Sequence, residues 1–130
     1  MQAIIVDLHL YNMVLVLATS LITGIWGLVL YFQKREVIAQ SWKIALIVTS
    51  VDGLIQGLLG VILLLMGLRA PGGSLYYLHY VYGAIVLLAI PVAYTYTNKK
   101  VRTTILLLSI AALVITAAGA RAAMTGLGLP

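Results

Sequence analysis

Four long apolar runs divide this chain, separated by short polar stretches. The first spans 3–32, is broken near its start by Asp7, His9 and Asn12, and closes on Trp26, Tyr31 and Phe32 before Gln33-Lys34-Arg35. A polar connection reaches Lys43, and the second run spans 44–68. The sequence Arg69-Ala-Pro-Gly-Gly-Ser74 then carries the residues that break helices and make turns. The third run spans 75–96, Asn98-Lys-Lys-Val-Arg102 follows, and the fourth spans 103 to about 124. Each run exceeds the roughly 20 residues a helix needs to cross the hydrocarbon. The pattern therefore predicts an all-α polytopic membrane protein, a single four-transmembrane-helix bundle over residues 1–130. The first run is read as a retained helix, because no basic segment precedes it and no small-residue cleavage site leads into a polar mature chain.

Composition sharpens this reading. Hydrophobic residues make up 63% and charged residues 8% of the chain, against roughly 25% charged in an average soluble domain. Without cysteine there are no disulfides, thiolate metal sites or thioether-linked hemes. The net charge of +5 resides in short connections, so it reports topology and leaves no basic patch for nucleic acid. Lys34, Arg35 and Lys43 lie in the first connection and Lys99, Lys100 and Arg102 in the third, whereas the second holds Arg69 alone. The positive-inside rule then predicts a cell (inner) membrane protein with both termini on the outer side.

Depth along the helices brings candidate chemistry into view. At about 1.5 Å per residue, His79 lies roughly 30 Å above Lys99, His9 somewhat further above Lys34, and Arg121 roughly 28 Å above Arg102. The only two histidines and Arg121 are thus expected at one boundary, joined there by Arg69. A single histidine at an interface is ordinarily a hydrogen-bonded residue. Two on separate helices at matching depth raise the expectation of a shared ligand. Low-spin heme b in membrane bundles is gripped by two imidazoles, with propionates held by arginine. The inventory here suits one such heme: His9 and His79 for the iron, Arg69 and Arg121 for the propionates, and Gly83, one turn beyond His79, leaving room for a ring. Zinc or copper is the lesser expectation, since Asp7 is the only carboxylate near enough to serve as a third ligand.

The other marked positions fall on faces of small residues. Ser20, Gly24 and Gly27 thin the first helix, which suits either a ligand or close helix packing. On the second helix Asp52, Gly53, Gln56, Gly57 and Gly60 share one face, and Gly53-x-x-x-Gly57 is a packing pattern. Asp52 is expected to bond to Thr49, Ser50, Ser109 or Thr116, with a proton relay as the alternative. On the fourth helix Ser109, Ala112, Thr116, Gly119 and Ala123 repeat the small-residue pattern. Tyr76, Tyr77, Tyr80 and Tyr82 read as an aromatic belt, one of which is placed to stack on a bound ring. The alternative for Arg121 is a helix-end residue reaching lipid phosphates.

The passage 54–90 resembles one half of the heme A synthase family, a heme-binding four-helix membrane module. There a helix with a Gln-x-x-Leu-Gly-like pattern leads through a short outer loop to a helix opened by a heme-ligating histidine. Gln56, Leu59 and Gly60 match the first part, and His79 the ligand. His9 takes the place of the ligand on the preceding helix. Leu10 stands where the family often has arginine, no glutamate lies near His9, and one half is present where the family pairs two. The resemblance therefore implies heme binding more than heme modification.

The resulting expectation is a b-type cytochrome with one bis-histidine heme near the outer face, passing single electrons alone or as a subunit of a redox complex. Its partners would be the lipid bilayer, a quinol or periplasmic electron carrier, and a larger respiratory or photosynthetic complex or a second copy. The rival from another class is a cofactor-free accessory or assembly subunit. A small transporter using Asp52 is a third reading.

Overall fold

A computed structural model describes residues 1–129, with only the backbone of Ser74, so Pro130 at the end of the expected domain lies outside the described residues. The elements are α1 (Gln2–Phe32), α2 (Gln40–Leu65), a 3-10 turn (Gly73–Leu75), α3 (Tyr77–Thr95) and α4 (Val101–Gly126). All four α-helices are long and apolar enough to cross a membrane, and no strand occurs among the described residues. The chain is an all-helical, multi-pass bundle. Successive helices run antiparallel, so the basic connections meet at one end while the termini and the 66–76 connection meet at the other.

The helix boundaries differ from the apolar runs for local reasons. The second helix begins at Gln40, four residues before its apolar run, because Ala39 is extended and Trp42 is fully buried, which brings Lys43 inside the helix. It stops at Leu65, where Gly67 takes φ +84°, the left-handed conformation suited to a residue just past a helix end. The next connection turns on Gly72 and Gly73, at φ +124° and +59°, so α3 starts two residues late. Within α3, Pro91 has no N–H for the carbonyl of Leu87, and the helix loses one internal bond there.

The core is confined to one half of the bundle. Val16, Trp42, Ile105, Ala112 and Ile115 are at most 1% exposed and lie toward the basic connections. Hydroxyls tie the same level: Ser20 and Thr116 are 2.8 Å apart, Thr23 and Thr49 are 3.0 Å apart, and Trp42 Nε1–H donates to the Thr23 carbonyl at 3.0 Å. Apolar solvent gives helices no hydrophobic reason to associate, so packing and such bonds do that work. Above the level of Gly53, Val86 and Gly119, toward the termini, Asn12 is the only buried residue of the described chain.

Candidate functional site

The upper half holds a cavity of about 540 Å³, within the range of roughly 300–1,000 Å³ typical of ligand sites. All four helices and the 66–76 connection contribute to its mostly apolar wall, which includes His9, Gln56, Gly60, Arg69, His79 and Gly83. The two imidazoles meet there. Their ring centroids are 6.1 Å apart and their planes 63° from parallel.

Each ring is held differently. His79 Nδ1 lies 2.9 Å from the Ala122 carbonyl oxygen and 3.3 Å from Thr125 Oγ1, and a methyl group on Gly126 would come within 3.0 Å of its Cε1. Its ring is therefore seated against the bare backbone of α4. His9 Nε2 lies 3.4 Å from Gln56 Nε2. Gln56 Oε1 accepts from Asn12 Nδ2 at 3.0 Å, and the same nitrogen donates to the Asp52 carbonyl at 2.9 Å. His9 Nδ1 is buried without a hydrogen-bond partner, a condition that ordinarily costs about 1–3 kcal/mol.

Space around the rings comes from glycine. A Cβ at Gly83 would meet nothing within 4 Å, and one at Gly60 would meet only His9 Cε1, at 3.5 Å. Tyr80 closes the wall: its ring stands 5.7 Å from that of His79, and its hydroxyl accepts from the Ala70 N–H at 3.2 Å.

Of the residues singled out from sequence, His9, His79, Gly83 and Arg69 come together at this cavity. The Arg69 guanidinium also reaches the Leu64 carbonyl at 3.5 Å. Arg121 is not brought into the cavity wall; its guanidinium lies 5.8 Å from the centre of the Tyr82 ring and donates to Met124 Sδ. Ser20, Gly24 and Gly27 serve helix packing, against Thr116, Leu113 and the Ser109–Trp42 pair. Gly53 and Gly57 pack on Val86 and Leu87 of α3. Asp52 accepts from Thr19 of α1 at 3.1 Å, a partner outside the four hydroxyls expected from sequence, since Thr49 and Thr116 are turned to Thr23 and Ser20. The backbone carbonyl of Asp52, not its carboxylate, is joined to His9 through Asn12 and Gln56.

Asn12, Ala122, Thr125 and Gly126 are site residues that sequence reasoning passed over. Asn12 had a legible signal: it stands three residues after His9, on the same helical face. Among the described residues no group of three or more His, Cys, Asp or Glu side chains is gathered to hold a metal ion. No family model matches the sequence, and neither the curated proteins nor the solved structures contain a match to it.

Proposed function

We propose that this chain is a b-type membrane cytochrome that holds one heme between α1 and α3 and passes single electrons, alone or within a larger redox complex. The observation that carries the reading is the approach of the only two imidazoles to 6.1 Å in the wall of an apolar cavity. Two imidazole nitrogens each about 2 Å from one metal put ring centroids roughly 6 Å apart. The surroundings fit as well. The Nδ1–H of His79 is spent on a backbone carbonyl, the arrangement that orients a ligating histidine and raises its basicity. The faces of Gly83 and Gly60 are bare. Ligation by His9 through Nε2 exchanges its bond to Gln56, which at 3.4 Å is long and weak.

A heme held by two imidazoles supplies a reversible one-electron couple. His9 and His79 would fix its plane, Arg69 would offer positive charge to carboxylates at the mouth, and the apolar wall would exclude water. With both termini outside, as the loop charges indicate, the site lies near the outer face of a cell (inner) membrane, within reach of a quinol or periplasmic carrier. The resemblance of residues 54–90 to a heme-binding half-module agrees with this reading.

The test is a visible spectrum of protein purified from heme-sufficient cells, followed by hemin titration. Sharp reduced α and Soret bands, lost in their low-spin form in both His9→Ala and His79→Ala, support the proposal. A colourless protein that takes up no hemin overturns it and leaves the accessory-subunit reading in its place.

A further inference from the structure

The hydrogen-bond network assigns the protons on the two imidazoles, and the nitrogens it engages on the two rings are not equivalent. The Asp52 carbonyl oxygen can only accept, so the Asn12 atom 2.9 Å from it is the amide nitrogen. That nitrogen also lies 3.0 Å from Gln56, whose facing atom must then be oxygen. The Gln56 amide nitrogen is consequently turned to His9 and donates to its Nε2. In neutral His9 the ring proton therefore resides on Nδ1, the buried atom without a partner. The same logic at His79 also puts the proton on Nδ1, but there the engaged and idle atoms are exchanged. Its Nδ1 faces the Ala122 carbonyl and donates, leaving the lone pair on Nε2 uncommitted.

We infer that Asn12 and Gln56 are positioning residues that hold His9 as the exchangeable member of the pair, while His79 is the standing ligand. The inference rests on the heme reading above and deepens it. While His9 is bonded to Gln56, the metal position it would fill is open to a small neutral donor molecule, for which carbon monoxide is the probe. The asymmetry begins at a backbone carbonyl, which no side-chain rotation can invert.

Two measurements test it. The first needs no heme: nitrogen-15 NMR of histidine-labelled protein should show the His9 proton on Nδ1, and Gln56→Glu, whose carboxylate accepts, should move it to Nε2. A wild-type proton on Nε2, or an unchanged pattern in Gln56→Glu, overturns the assignment. The second uses hemin-loaded protein. His79→Ala should lose hemin altogether, whereas His9→Ala should retain it in a five-coordinate, high-spin form. Once the loaded iron is reduced with dithionite, Gln56→Leu should raise the low-spin fraction and weaken carbon monoxide binding by roughly fivefold, the equilibrium equivalent of one hydrogen bond. Equal loss of hemin in the two histidine variants overturns the inference and spares the heme reading. Absence of hemin from the wild type overturns both, and the proton assignment then still stands or falls on the NMR.

Discussion

A methyl group added at Gly27, near the basic connections, would overlap Ser109 Oγ and lie 2.7 Å from the indole of Trp42, whereas one added at Gly83 would meet nothing within 4 Å. The same residue type thus serves two ends. In the lower half glycine lets backbones close on one another, and every buried apolar side chain of the described bundle is found there or at its upper edge. In the upper half glycine leaves space unfilled beside two imidazoles, and the helices enclose a cavity. The lower half carries the close packing of the bundle; the upper half carries its cavity.

Substitutions that separate those roles test the contrast. Gly27→Leu should have the largest effect, because neither Ser109 nor Trp42 can withdraw; a cost at or above the 1–3 kcal/mol of ordinary overpacking, read by unfolding in detergent, is expected, and a variant as stable as the wild type would break the comparison. Trp42→Phe should cost about 1 kcal/mol, through the lost bond to the Thr23 carbonyl. Gly83→Ala should leave stability unchanged or raise it by up to about 1 kcal/mol, the helix preference of alanine over glycine, and Gly83→Leu should abolish hemin uptake without unfolding the bundle. Asp52→Asn should be the smallest, within about 0.5 kcal/mol, since the amide oxygen still accepts from Thr19; loss of flux in reconstituted vesicles with folding intact would instead favour transport.

What the sequence made legible follows from what a helix fixes. Rise per residue is constant, so depth can be counted, and the common level of His9 and His79 is visible in residue numbers alone. Rotation about each axis is not fixed by apolar runs that are hydrophobic on every side. Arg121 shows this: it shares the depth of the cavity and neighbours Ala122, whose carbonyl seats His79, yet it faces Tyr82. The start of α2 was hidden because Gln40 and Lys43 read as a connection, whereas the burial of Trp42 draws that turn into the helix. The roles of the glycines were illegible for the same reason as Arg121, since each is decided by what stands opposite.

Pro91 carries a mechanical consequence. A helix bends most cheaply where a backbone bond is already missing, and in α3 that point lies beside Ile90, which is 7% exposed and anchored in the core. The segment bearing His79 and Gly83 is therefore joined to the firm half of the molecule through the one turn of α3 that lacks a backbone bond.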